Sequence, residues 1–245
     1  TRNLLYMYLF KKAFNNTKTQ QKGFYLQENQ GWESSFIYYW KNSNINSHLY
    51  AIPHTLTKFW DLKRVVDIST YNNPSQHLLP TPDYIGYNSE ISKKMYLNNG
   101  IPYEKLIQVE ALRYLHLNKK SDCKLNKLDR KKYTVLLLGD VLKKNTIEQI
   151  KLLNKSYEFI KTPIQFLIKA HPATSLTKED FLNIDFITTD KPINEIVNCC
   201  EIVFASSTTS ASFDTYYLGA KVVTIVNARG LNTSPLRGFQ DAVFV

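Results

Sequence analysis

The sequence predicts an α/β protein built on parallel β-sheets, and two features of its second half support that prediction. Short apolar segments of strand length alternate with segments whose apolar residues recur at helical spacing. The strand-like segments include YTVLLL at residues 133–138 and IQFLI at residues 164–168. Strands with little polar alternation are buried on both faces, and strand–helix–strand alternation places helices over both faces of a parallel sheet.

The other elements of the second half follow from spacing and from terminal residues. Apolar positions from Ile147 to Ile160 predict a helix over residues 145–160. Pro192 is suited to the first position of a helix, and Gly219 is suited to end one. The remaining expected elements are strands at 185–188, 202–205 and 221–226, a helix from 192 to 199 or 200, and a helix that residues 206–208 cap and that reaches Leu218.

The first half is less regular but shows the same kind of pattern. We expect strands at residues 23–27, 48–52, 84–87 and 106–109, and helices at 32–41 and 90–98. The polar, proline-containing stretch at residues 69–82 is expected to be a loop. Because the chain starts without Met and stops after an apolar segment at 242–245, we expect a fragment of a longer protein whose first domain is incomplete.

Charge favours anionic partners. The chain has 31 Lys+Arg and 21 Asp+Glu, a formal net charge of +10, which suits sugar nucleotides, nucleic acid or an acidic membrane surface. Residues 118–132 contain seven basic and two acidic residues and are interpreted as a solvated linker between domains at 1–130 and 131–245. Nucleic-acid binding is disfavoured, because the sequence has no recognised nucleic-acid-binding motif and much of the excess charge lies in this segment.

The cysteines and the apolar segments indicate the compartment. Cys123, Cys199 and Cys200 are too few for a disulfide framework or a zinc site, so reduced thiols in the cytosol are expected. The longest apolar stretch, residues 4–10, is far shorter than the ~20 residues of a membrane helix. We expect a cytoplasmic protein, and the basic charge permits peripheral contact with the inner face of the membrane.

Polar side chains follow several of the predicted strands of the second half. Asp140 follows YTVLLLG, His171 follows IQFLIKA, and the hydroxyls of residues 206–208 follow EIVFA. Ligands of open parallel sheets bind at the carboxyl ends of the strands. We therefore predict that His171 and residues 206–208 hold a diphosphate or phosphodiester from two neighbouring strands. Each cluster also has a plainer interpretation, as a buried histidine or an ordinary helix cap.

These motifs resemble those of a known group of enzymes. KAHP at 169–172, VFASSTTS at 203–210 and LGAKVV at 218–223 resemble the donor-binding half of GT-B glycosyltransferases, in particular bacterial sialyltransferases and Kdo transferases with His-Pro and Ser-Ser motifs. In the first half, FYLQENQGWE, AIPHTLTKFWDLKR and residues 82–114 resemble a family of bacterial surface-carbohydrate biosynthesis proteins. The resemblance covers nearly the whole chain and implies two Rossmann-like domains, the amino-terminal one incomplete.

The resemblance implies transfer of a sugar of the sialic acid or Kdo type from a CMP-activated donor to a surface glycan or glycolipid. It implies no metal and no cofactor, with the nucleotide sugar as substrate. The implied donor-binding residues are Lys169, His171, Pro172, Ser206, Ser207 and Thr208. A CDP-glycerol-type transferase or a sugar-nucleotide epimerase on the same scaffold is the alternative.

The acid or base of the reaction has several candidates beside His171. Related sialyltransferases use an acidic residue after a strand of the first domain, and Glu28 is the nearest match, although Glu-Asn-Gln replaces their acidic pair and glycine. Glu110 follows another predicted strand. Asp140 is the third, and in a retaining enzyme it would be a covalent nucleophile. Each carboxylate has the alternative of a surface or capping role, and Glu33 is a candidate helix cap.

A further group combines aromatic, basic and acidic side chains suited to holding a sugar and its carboxylate. Guanidinium binds carboxylate through two hydrogen bonds, so Arg64 and Arg113 are candidate clamps. The group in the first half consists of His54, Trp60, Asp61 and Arg64.

Overall fold

The computed structural model describes residues 2–56, 58, 67, 69–72, 79–118, 122–123, 125, 128–227 and 230–245, with only the backbone of residues 2 and 72. The chain divides into two compact units. Unit 1 comprises Thr1–Thr57 and Asp61–Arg113, and unit 2 comprises Lys58–Trp60 and Tyr114–Val245.

Unit 1 contains a four-stranded parallel sheet in the order β1-β2-β3-β4. Its four strands and two of its helices lie where the sequence predicts them. A 14-residue helix at the start was not predicted, and a short helix lies within the expected loop. The elements are α1 (Arg2–Asn15), β1 (Lys22–Gln27), α2 (Gly31–Ser43), β2 (His48–Pro53), α3 (Ser69–Asn72), β3 (Tyr84–Tyr87), α4 (Glu90–Asn98), a 3-10 turn (Tyr103–Lys105) and β4 (Leu106–Gln108).

The core of unit 1 is largely aromatic. Phe10 and Phe14 of α1 pack on Phe36 of α2, with ring centroids 5.3 and 5.5 Å apart. Trp40 of α2 lies against β1 at Gly23, where a Cβ atom would come within 2.5 Å of the indole ring. The sheet therefore needs glycine at this position for α2 to pack closely.

Unit 2 contains a six-stranded parallel sheet in the order β10-β9-β8-β5-β6-β7. The central strands are buried on both faces, as predicted for a parallel sheet covered by helices. The elements are a 3-10 helix whose first two residues still belong to unit 1 (Leu112–Asn118), β5 (Tyr133–Leu138), α5 (Lys143–Tyr157), β6 (Ile164–Lys169), a 3-10 turn (Lys178–Phe181), β7 (Phe186–Thr188), α6 (Ile193–Ile196), a 3-10 turn (Val197–Cys199), β8 (Ile202–Ser206), α7 (Ala211–Tyr217), β9 (Lys221–Ile225) and β10 (Val243–Phe244).

Two details of unit 2 differ from the expectations. The strands that precede His171 and Ser206 are not neighbours, because β5 lies between β6 and β8 and pairs with both. The last helix begins at Ala211, so residues 206–208 do not cap it. Gly219 ends that helix with φ +95, as predicted.

The expected linker belongs in part to unit 2. Tyr114 and Leu125 pack on the unit 2 core, where Leu117 is 1% exposed. The units therefore divide after Arg113 rather than near residue 130. Cys123 and Cys199 form a disulfide with Cα atoms 5.3 Å apart, so the expectation of three reduced thiols is wrong for this pair.

No helix in the described part of the chain has the length and apolar character needed to cross a lipid bilayer.

Candidate functional site

The carboxyl edge of the unit 2 sheet brings three loops together. Leu138, the last residue of β5, pairs with Lys169 of β6 on one side and with Ala205 of β8 on the other. Asp140 therefore lies between the loop that carries His171 and the turn formed by residues 206–208, which we call the 206–208 turn.

Asp140 is the centre of the hydrogen bonds at this edge. The residue is 1% exposed. Its Oδ1 accepts the Leu142 N–H at 2.9 Å, and its Oδ2 accepts the hydroxyls of Ser206 and Thr208. The side chain of Asn145 also helps to lower the pKa of the carboxyl group.

The carboxylate of Asp140 is ionised at neutral pH. Burial by itself raises the pKa of a carboxyl group, but the hydrogen bonds from Leu142, Ser206 and Thr208, together with the side chain of Asn145, outweigh burial and hold the pKa of Asp140 below its usual value. A covalent nucleophile needs an exposed oxygen with an available lone pair. Because Asp140 is enclosed and both of its oxygens are engaged, the geometry argues against the nucleophilic role and favours a positioning one.

Two hydrogen bonds to its backbone fix the 206–208 turn. The N–H of Ser207 donates to the carbonyl of Ile225 on β9 at 3.1 Å, and the carbonyl of Ser207 accepts the hydroxyl of Thr233 at 3.3 Å. Ser206 and Ser207 are buried, whereas Thr208 is exposed. The capping prediction fails for a physical reason, since the hydroxyls of Ser206 and Thr208 are bound to Asp140.

His171 occupies a tight loop after β6. Its Nδ1 accepts the N–H of Ala173 at 3.1 Å, so the neutral imidazole carries its proton on Nε2. Thr174 donates its hydroxyl to the carbonyls of Asp140 and Val141, at 3.0 and 3.1 Å, and ties this loop to the β5 loop.

His171 does not share a strand pair with the serines. Two strand spacings separate β6 from β8, or about 10 Å at the backbone. The expectation that neighbouring strands deliver the imidazole and the hydroxyls together is therefore wrong. Gly139 lets the intervening loop pack closely, because a Cβ there would lie 3.1 Å from the Ala170 Cα and the His171 N.

Lys169 and Pro172 flank His171 in different ways. The ammonium of Lys169 donates to the carbonyl of Asp190, which follows β7, at 3.2 Å. It is thus held on the side of β6 opposite to Asp140. Pro172 is exposed in the turn after His171.

Glu28 and His54 lie together at the carboxyl edge of the unit 1 sheet. His54 Nε2 is 3.8 Å from Glu28 Oε1, and the side chains are 41% and 47% exposed. The buried Glu33 Oε1 accepts the N–H groups of Glu28 and Gln30 at 2.9 and 2.8 Å. Glu33 is thus the acidic member of a capping box on α2, as its interpretation as a helix cap predicts.

A cavity of about 650 Å³ opens beside this edge in unit 1. Burial, and then the Glu33 carboxylate, raises the pKa of Tyr25 above its usual value. Burial also raises the pKa of Tyr71, to about 12, so both phenols stay protonated. The polar lining includes Tyr25, Gln27, Gln30, Glu33, Ser34, Asp67, Ser69, Thr70 and Tyr71.

Two of the remaining candidates, Glu110 and Arg113, lie apart from both clusters. Glu110 is exposed two residues beyond β4, and Arg113 is exposed in the 3-10 helix that starts at Leu112. Trp60, Asp61 and Arg64 lie outside the described residues. Among the residues that the structure does describe, no three His, Cys, Asp or Glu side chains form a group able to hold a metal ion.

The sequence does not single out several participants in the unit 2 site, among them Lys58, whose ammonium donates to the carbonyl of Thr208 at 2.6 Å. Thr174 joins the β5 and β6 loops, and Asn145, in the first turn of α5, helps to lower the pKa of Asp140. The available signal is a hydroxyl or amide side chain at the start of a helix or shortly after a strand. Such residues are common in loops, so this signal is too weak to single them out.

Comparison with known proteins reveals similarity only at the level of structure. Neither a protein-family model nor a curated protein matches the sequence. The structure is similar to MurG of Acinetobacter baumannii with TM-score 0.54 and 8% identity, over 99% of this chain and 63% of MurG. It is similar to the GtfA/B complex with TM-score 0.58 and 10% identity, over 98% of this chain and 49% of the other.

The chain thus spans about half to two thirds of the length of these two proteins. Two parallel-sheet α/β domains, as predicted, give it a fold similar to that of the GT-B glycosyltransferases MurG and GtfA/B.

Proposed function

We propose that this chain belongs to a glycosyltransferase that moves a sugar from a nucleotide-activated donor to a glycan or glycolipid. The GT-B-like fold supports this proposal. The observation that carries it is the carboxyl edge of unit 2, where an ionised and buried Asp140 organises loops that present Ser207 and His171. Parallel sheets bind nucleotides at this edge.

The site has donors for the charge that develops on the leaving group. Departure of a nucleotide leaves negative charge on phosphate, which prearranged hydrogen-bond donors stabilise. The Nε2–H of His171 and the hydroxyl of Ser207 are such donors. Because Nδ1 of His171 accepts the Ala173 N–H, the proposed role is that of a neutral donor rather than an imidazolium.

The proposed donor is a CMP-sugar of the sialic acid or Kdo type. The support is the KAHP and VFASSTTS motifs, which resemble those of CMP-sugar transferases for lipopolysaccharide and capsule. Arg64 and Arg113 stay as proposed contacts for the sugar carboxylate.

Activation of the acceptor hydroxyl is assigned to unit 1. Glu28 is the proposed general base, since its carboxylate is half exposed and His54 lies 3.8 Å away at the same sheet edge. Glu110, exposed after β4, is the alternative base.

Nucleotide titration tests the proposal. Calorimetry with CMP, CDP and UDP should show binding, with preference for CMP. His171→Ala and Ser207→Ala should each weaken CMP binding and sugar transfer by about tenfold or more, the loss expected for a hydrogen bond to a charged group. The control is Ser156→Ala, because Ser156 is an exposed α5 residue whose hydroxyl donates to the carbonyl of Leu152.

Each other outcome has a clear meaning. Preference for CDP favours the CDP-glycerol-type transferase, and preference for UDP rejects the CMP-sugar. Wild-type affinity in both site variants would reject the donor site. Binding of RNA or DNA with a steep salt dependence, without nucleotide binding, would reject the transferase altogether.

A further inference from the structure

The polarity of the hydroxyls around Asp140 restricts what they can bind. An ionised carboxylate has no proton and only accepts hydrogen bonds. Ser206 and Thr208 both contact Oδ2 of Asp140, so each of them must donate its single hydroxyl proton to that oxygen. The 3.0 Å contact between the two hydroxyl oxygens does not change this, because neither has a second proton to give.

Ser207 differs from its two neighbours. Its backbone is fixed by Ile225 and Thr233, while its hydroxyl makes no hydrogen bond to the part of the chain that the structure describes. Ser207 can therefore donate a proton to a ligand. Ser206 and Thr208 offer only lone pairs.

We propose that Asp140 is a positioning residue that makes Ser206 and Thr208 acceptors, so that the ligand group over Thr208 is a hydrogen-bond donor such as a sugar hydroxyl and the phosphate is held by Ser207. This inference rests on the proposed function and assigns unequal roles to residues that the Ser-Ser motif presents as equivalent. Phosphate oxygens only accept hydrogen bonds, so the hydroxyl of Thr208, whose proton is given to Asp140, has none to offer them.

Substitution of Asp140 by asparagine should reverse this polarity without a change of shape. Oδ1 must still accept the Leu142 N–H, which places the amide nitrogen at the position of Oδ2. Its two N–H bonds then point at Ser206 and Thr208, and their hydroxyl protons are released toward the ligand.

The test compares CMP with cytidine, which lacks the phosphate. The ratio of the cytidine Kd to the CMP Kd isolates the contribution of the phosphate. Ser207→Ala should lower this ratio by about tenfold. Thr208→Val, which removes the hydroxyl and keeps the shape, should leave the ratio within about twofold, because any contact it loses is shared by both ligands.

A double-mutant cycle separates polarity from charge. Asp140→Asn should raise the ratio, and the addition of Thr208→Val should remove part of that gain. A pure charge effect predicts equal ratios for D140N and D140N/T208V, and that result would overturn the proposal. The proposal would also be overturned if Thr208→Val lowered the ratio of the two Kd values as much as Ser207→Ala does. That comparison does not depend on whether Asp140→Asn folds.

Failure of the proposed function would look different. If the wild-type chain binds none of CMP, CDP and UDP, the transferase proposal fails. The direction of the hydrogen bonds around Asp140 is then tested by a measurement that needs no ligand. Carbon-13 NMR titration should then give the Asp140 carboxyl a pKa below the usual range, and a higher pKa in Thr208→Val. Equal pKa values in the two proteins would overturn the inference.

Discussion

At the scale of single residues, the structure gives one carboxylate an organising role. Asp140 is enclosed just after β5, and its side chain binds the hydroxyls of the 206–208 turn. Its carbonyl accepts a hydrogen bond from the hydroxyl of Thr174 in the loop after β6. The sequence predicts that Asp140 matters, because it follows a buried strand. It does not predict the role, which depends on hydroxyls 66 and 68 residues away.

Asp140 should make stability depend on pH. Its pKa is lowered in the folded chain, so the stabilisation is fully present above the unfolded pKa of about 4 and is lost as pH falls through the lower folded value. Urea unfolding followed between about pH 7 and pH 2 should show this loss in the wild type and a shallower one in Asp140→Asn. Parallel curves for the two proteins would contradict the assignment.

At the scale of elements, strands were easier to predict than helices. The strands of both sheets are marked by apolar or alternating segments that depend only on local sequence. The sequence does not predict α1, because its apolar residues are not confined to one face of the helix. Phe10 and Phe14 pack inward while Leu4 and Leu5 are exposed. α7 begins later than expected because Asp140 binds the hydroxyls that were assigned to its cap.

The disulfide fastens the segment around Cys123, part of the expected linker, to the 3-10 turn at Val197–Cys199. Cys123 and Cys199 are 76 residues apart in sequence, and a bridge of this span restricts the unfolded chain by an amount typically worth about 2–4 kcal/mol. Dithiothreitol should therefore lower the free energy of unfolding of the wild type by about this amount. It should have no effect on Cys123→Ser, which is already destabilised.

Cys200 supplies the control for that measurement. Burial raises the pKa of its thiol to about 12, so it stays protonated and is a poor partner for disulfide exchange. Cys200→Ser should retain the sensitivity to dithiothreitol. A wild-type chain with three titratable thiols under non-reducing conditions would rule out the bridge.

At the scale of the whole molecule, fold class is predictable and strand order is not. Alternating strands and helices specify parallel sheets wherever the strands pair. The position of β5 between β6 and β8 depends on contacts between residues far apart in sequence, so no local pattern predicts it. This strand order separates His171 from the serines. For the same reason the pairing of Glu28 with His54 became visible only in the structure.

The charge of the whole chain and the outer face of α1 together lead to the last prediction. Leu4, Leu5, Tyr8 and Leu9 are more than half exposed on α1, Lys11 and Lys12 follow them, and the net charge is +10. Exposed apolar side chains beside basic ones suit the surface of an anionic membrane, as proposed for a glycolipid-modifying enzyme. We therefore expect the protein to sediment with phosphatidylserine vesicles and not with neutral phosphatidylcholine vesicles.

Salt and substitution separate the two contributions to this binding. Raising the salt from about 0.01 M to about 1 M shortens the screening length from about 30 Å to about 3 Å and should release the protein if charge dominates. Leu5→Asp should weaken binding even at low salt, because it places a carboxylate on the apolar face, whereas Leu182→Asp, at an exposed leucine of unit 2, should not. Equal binding by both variants would show that α1 does not contact the membrane, and equal sedimentation with neutral vesicles would refute the role of charge.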